Sequence, residues 1–188
     1  SDGGDTLKVT SLFYEFPVGD LSVTAGPLVD QDDVLAATTS AYSGSFRLGA
    51  MPFSEAGEEA GPAVAVAYSN DNGVVASASF ISSDGADSSI GIGSDDGDDV
   101  ATFTLGYDGD GFGGGLVLTY QDGDGTGANG EYSTFGGGFY YSPEALDATI
   151  SVVYDTVDAD TLGVEASDLF VGIDYEVGPG TLSAAYNS

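Results

Sequence analysis

Carboxylates dominate the chemistry open to this chain. Its 188 residues hold 31 Asp and Glu against two basic residues, Lys8 and Arg47, with no His and no Cys. Oxygen donors of this kind either bind hard cations such as calcium or build a negative field that admits cations and slows anions. The lack of His removes the usual general base and the usual transition-metal ligand. The lack of Cys removes thiolate sites, disulfides and a thiol nucleophile. Paired acids such as Asp32 and Asp33 could in principle serve a glycosidase, but adjacent residues of an extended chain point apart, and a solvated loop gives no cause for a raised pKa. We therefore read no catalytic residue and no enzyme.

Three acidic groupings remain as candidate sites. The longest polar stretch, Asp30 to Gly61, carries Asp30, Asp32, Asp33, Glu55, Glu58 and Glu59 together with Arg47. Folded into a pore, these side chains would make a negative constriction; left outside, they form a solvated surface loop. Two further loops have calcium-like composition: Asp95, Asp96, Asp98 and Asp99 in one, and Asp122, Asp124 and Glu131 with Asn129 in the other. Glycines between these acids let the backbone curl around a cation, although neither loop completes the twelve-residue EF-hand spacing. Solvated acidic turns are the plainer reading of both, and calcium is at most an optional ligand.

The elements that must hold these loops are strands. Period-two alternation runs through the chain, and helical periodicity is almost absent. It predicts ten strands, at about residues 6–16, 21–29, 62–69, 74–82, 100–107, 115–121, 135–142, 147–155, 168–177 and 181–187. Compact turns join the members of each pair: Pro17 to Asp20, Asn70 to Gly73, the glycine run Asp108 to Gly114, Pro143 to Leu146, and Gly178 to Gly180. Long polar connections separate the pairs: Asp30 to Gly61, Ser83 to Asp99, Asp122 to Thr134, and Thr156 to Ser167. Alternating short turns and long loops is the plan of an up-and-down outer-membrane barrel, whereas sandwiches mix loop lengths.

Composition agrees. Hydrophobic residues make up 41% of the chain, enough to bury a large surface, so a net charge of -29 must be gathered into loops rather than spread along a disordered chain. No apolar run approaches the roughly 18 residues of a membrane helix, so any membrane contact falls to strands. The strong negative field excludes nucleic acid as a partner. Within strands one side is greasy and the other small or polar, as in Leu169, Val171, Ile173, Tyr175 and Val177 against Asp168, Phe170, Gly172, Asp174 and Glu176. Aromatics stand at strand ends: Phe16, Tyr68, Tyr107, Tyr141 and Tyr175 before short turns, and Phe80, Tyr120, Tyr154 and Tyr186 near the opposite ends, the placement expected of two interfacial girdles.

The run Leu12-Phe13-Tyr14-Glu15-Phe16-Pro17-Val18-Gly19-Asp20 continues to Gln31-Asp32-Asp33 and on to Ser40-Ala41-Tyr42-Ser43. It resembles the cyanobacterial outer-membrane porins that carry an S-layer-homology domain, in which a YEFPVGD hairpin leads into a strand closing on a QDD segment. The resemblance implies a trimeric barrel of about sixteen strands, preceded by a domain that grips cell-wall polysaccharide. With about ten strands and no such domain, this chain matches the barrel portion.

The expectation is thus a single all-β domain over residues 1–188, an antiparallel up-and-down barrel or part of one, serving as a passive, cation-preferring channel. Its partners would be small hydrophilic solutes, cations and outer-membrane lipid, with trimerisation implied by the resemblance. The alternative is a secreted β-rich subunit of an extracellular fibre or surface layer, bridged by calcium, which suits the Gly-rich composition and the missing basic residues.

Overall fold

The computed structural model describes residues 9–42, 60–94, 97–123, 131–159 and 163–188. Ten strands form one sheet in strict chain order: β1 (Leu12–Val18), β2 (Leu21–Asp30), β3 (Ala60–Ser69), β4 (Val74–Ser82), β5 (Asp99–Gly109), β6 (Phe112–Asp122), β7 (Tyr132–Tyr141), β8 (Ala148–Ala159), β9 (Val164–Val177) and β10 (Gly180–Asn187). Every neighbouring pair is antiparallel. The sheet is open: among the described residues β1 pairs only with β2, and β10 only with β9. This is the up-and-down architecture read from the sequence, with all ten strands found.

Turn chemistry sets the register. Between β3 and β4, Asn70 Oδ1 accepts hydrogen bonds from the Asn72 and Val74 amides, both at 3.0 Å, and Gly73 takes φ 84. A left-handed residue is what lets the chain reverse with the twist of the flanking strands. Several boundaries differ from expectation. The glycine run Asp108 to Gly114 is not a turn. The reversal needs only Asp110 and Gly111, the latter at φ 75, while Gly113, Gly114 and Gly115 lie in β6. The connection expected over residues 156–167 also contracts to residues 160–163, because β8 and β9 stay paired out to Ala159 opposite Val164. Alternation of Val157 and Ala159 with polar residues carries the strand on, and the acids Asp158 and Glu165 sit opposite each other on its solvated end. At the start, β1 begins at Leu12; residues 9–11 are not strand, and the earlier part of the expected first strand lies outside the described residues.

Burial is inverted relative to a water-soluble sheet. Side chains on one face are large, apolar and exposed: Phe103 and Leu105 on β5, Leu116 and Leu118 on β6, Phe139 on β7, Ile150 and Val152 on β8, and Leu169, Val171 and Ile173 on β9. Register places these in contiguous rows, for example Phe103 opposite Leu118 and Phe139 opposite Val152 opposite Val171. The other face buries hydroxyls and carboxylates: Ser77, Ser79, Thr102, Thr104, Thr119, Thr134, Ser151, Asp155 and Asp174. Small apolar clusters interrupt it, one of Val29, Val34, Ala65 and Ile81 and one of Val117, Val153 and Phe170.

Outward aromatics stand at two levels. Tyr107 stacks on Phe112 at a centroid distance of 5.3 Å, and Phe112 lies opposite Tyr141 at the short-turn end. Tyr120 and Tyr154 occupy the long-loop end of the same face. From Phe112 to Tyr120, at about 3.3 Å per residue, the strand climbs roughly 26 Å, or roughly 20 Å once the usual barrel tilt is allowed for.

Candidate functional site

The polar face holds a stretch of the chain against itself. After β2, Asp30 caps a short 3-10 helix (Gln31–Val34), its Oδ1 accepting from the Asp32 amide at 3.2 Å. The chain then lies on the polar face, and from Ala36 to Tyr42 it crosses from β4 to β9. Gln31, wholly buried, donates from Nε2 to Thr102 Oγ1 on β5 at 2.7 Å. The Ala36 amide donates to Ser77 Oγ on β4 at 3.1 Å, and the Ala41 amide to Ser151 Oγ on β8 at 3.2 Å. Tyr42 ends the crossing with its ring edge-on to Phe170 of β9, centroids 5.2 Å apart. An irregular segment has no partner strand for its amides, and leaving a buried N–H unmade costs about 1–3 kcal/mol. Wall hydroxyls supply acceptors here. They are themselves linked, Ser77 to Thr104 at 2.7 Å and Thr102 to Thr119 at 3.3 Å.

Of the Asp30 to Gly61 stretch, the described part from Asp30 to Tyr42 lies on the polar face, and its crossing portion, Val34 to Tyr42, is uncharged. The acids stand at its entrance: Asp32 and Asp33 are exposed, and Asp33 Oδ2 accepts from Ser11 Oγ at 2.9 Å. Arg47, Glu55, Glu58 and Glu59 lie outside the described residues.

The two calcium-type loops are seen in part, since Asp95, Asp96, Asp124 and Asn129 also lie outside the described residues. Asp98 and Asp99 are buried at the start of β5, and register sets Asp99 directly opposite Asp122 of β6. The sequence had assigned these two acids to separate loops. Glu131 accepts from the Tyr120 hydroxyl at 3.0 Å. Even so, among the described residues no three acids converge closely enough to hold a metal ion. Hydrogen bonds within the chain organise the loop before Asp95. Ser83 donates to the Asp98 carbonyl at 2.8 Å, and Asp87 Oδ1 accepts from both the amide and the hydroxyl of Ser89. Those two donors hold the Asp87 carboxyl below its usual range, the side-chain bond contributing most.

Sequence reasoning missed the residues that do the holding: Gln31, Ser77, Thr102 and Ser151. Their signal is faint, because Ser and Thr at alternate strand positions are read as generic small polar residues. No protein-family model matches this chain, and neither does any curated protein.

Proposed function

We propose that this chain forms the wall of a passive bacterial outer-membrane channel, through which small hydrophilic solutes and inorganic cations pass down their gradients. The observation that carries the reading is the inversion of the sheet, with contiguous apolar rows outward and hydroxyls and carboxylates inward. Exposed apolar surface on this scale is unfavourable in water and is satisfied by lipid. The two levels of outward aromatics suit the headgroup regions, and the resemblance of Leu12 to Ser43 to cyanobacterial porins points the same way. The segment from Gln31 to Tyr42 narrows the lumen. Cation preference follows from a net charge of -29 with two basic residues in the whole chain, since a negative lumen lowers the energy of a cation and raises that of an anion.

The open edges of β1 and β10 favour one other reading, a secreted subunit that joins copies edge to edge into a fibre or surface layer with calcium between acidic loops. One experiment separates the two. Detergent-purified protein added to planar bilayers should give discrete conductance steps, and a salt gradient should shift the reversal potential toward that of the cation. Protein that stays soluble without detergent, conducts nothing and forms filaments that dissolve with a chelator would overturn the channel reading in favour of the fibre.

A further inference from the structure

The inward segment crosses the wall along a row of glycines. Gly106 of β5 pairs in register with Gly115 of β6, and Gly115 with Gly138 of β7, so three side-chain-free positions lie side by side on the polar face. A Cβ on Gly106 or on Gly115 would stand 2.8 Å from the Ala37 Cβ. On Gly138 it would collide with the Thr39 carbonyl oxygen, and on Gly172 of β9 it would stand 2.5 Å from the Tyr42 ring. None of these four takes a positive φ, so backbone conformation is not what requires glycine. Glycine inside a strand weakens it and often marks a close approach by other backbone. Here the close approach is made by the Thr39 backbone at Gly138 and by the Ala37 methyl and the Tyr42 ring at the other positions.

We infer that Gly106, Gly115 and Gly138, with Gly172, are positioning residues that seat the segment Leu35 to Tyr42 against the wall and so fix the width of the lumen. The inference rests on the channel reading and deepens it. Hydroxyls of Ser77 and Ser151 tether the two ends of the segment, and the glycine row supplies the depth between them. Any side chain on that row must lift the segment away from the wall, because Thr39 meets Gly138 with its backbone, which has no rotamer to change.

Gly137 provides the control. It is the next residue of the same strand on the opposite face, where a new Cβ would meet only the flexible end of Leu116. Gly138→Ala and Gly137→Ala make the same change in intrinsic strand preference, so a difference between them reports the seat. Two measurements are needed. The first is disulfide trapping in the pair Ala36→Cys and Ser77→Cys, which should form readily in the parent and be lost with Gly138→Ala but not with Gly137→Ala. The second is single-channel conductance, with the largest polymer that still enters the pore as a gauge of width. Gly138→Ala should change both relative to the parent, and Gly137→Ala neither.

Gly115→Ala, a milder clash with the Ala37 methyl, gives the same reading if Gly138→Ala does not fold. Unchanged trapping and unchanged conductance in a folded Gly138→Ala or Gly115→Ala protein would overturn the seat. A parent that traps the disulfide yet never conducts would instead overturn the channel reading and leave the seat supported by trapping.

Discussion

Val152→Arg is expected to destabilise the protein by about 2–4 kcal/mol when folding is measured in phospholipid vesicles. Val152 lies mid-way along β8, 42% exposed on the apolar face, between Phe139 and Val171 in register. If that face spans a bilayer, as proposed, an arginine there would hold its guanidinium among acyl chains, and the cost is chiefly that of desolvating the charge. The same substitution at an exposed position in water changes stability by no more than about 0.5 kcal/mol. Reversible urea unfolding in vesicles reads the difference directly. A change within that smaller range would remove the apolar face from lipid and with it the channel.

Phe170→Ala is expected to cost about 3–5 kcal/mol in the same assay. This ring is the largest wholly buried side chain among the described residues, and it stands on the polar face, packed on Val117, Val153 and Tyr42. Its removal leaves a cavity bounded by wall backbone on one side and the tethered segment on the other, neither of which can collapse far. Phe139→Ala is the matched comparison. Phe139 is 53% exposed on the apolar face; if that face meets lipid, as proposed, acyl chains fill the space an aromatic ring vacates, so its loss should cost distinctly less. Equal losses for the two variants would show that both rings face the same medium and that the inward packing of Phe170 has been misread.

These contrasts explain why the sheet could be read from sequence and the segment lying on it could not. Strands such as β9 announce themselves because the two faces of the sheet impose opposite demands on alternate residues, leaving Leu169, Val171 and Ile173 on one side and Asp168, Gly172 and Asp174 on the other. Phe170 breaks that pattern only because Tyr42, far away in sequence, covers it. Gly113 and Gly114 were read as a turn because glycine usually ends strands. Gly113, and Gly115 just beyond that run, face inward and are explained by what lies over them, the Tyr140 ring at Gly113 and Ala37 at Gly115. Acidity drew attention to Asp30, Asp32 and Asp33, while the buried contact to the wall is made by Gln31 between them. A backbone amide meeting a wall hydroxyl leaves no trace in the composition of the segment that donates it. Likewise, Asp158 and Glu165 suggested a loop where an extended hairpin continues past the apolar band.

Pairing in strict chain order also has a kinetic meaning. Each strand of this sheet pairs with its neighbours in the chain, so strands can be added one at a time, and even the longer connections add little because closure cost grows slowly with loop length. The bonds from the inward segment are of another kind. Ala36 reaches 41 residues ahead to Ser77, Gln31 reaches 71 to Thr102, and Ala41 reaches 110 to Ser151. Such distant contacts form slowly, and the last of them cannot form until β8 is in place. A chain whose later strands are not yet laid down therefore has nowhere to lodge residues 35–42, and if the sheet lines a channel, as proposed, its bore is set only after nearly all the wall has assembled.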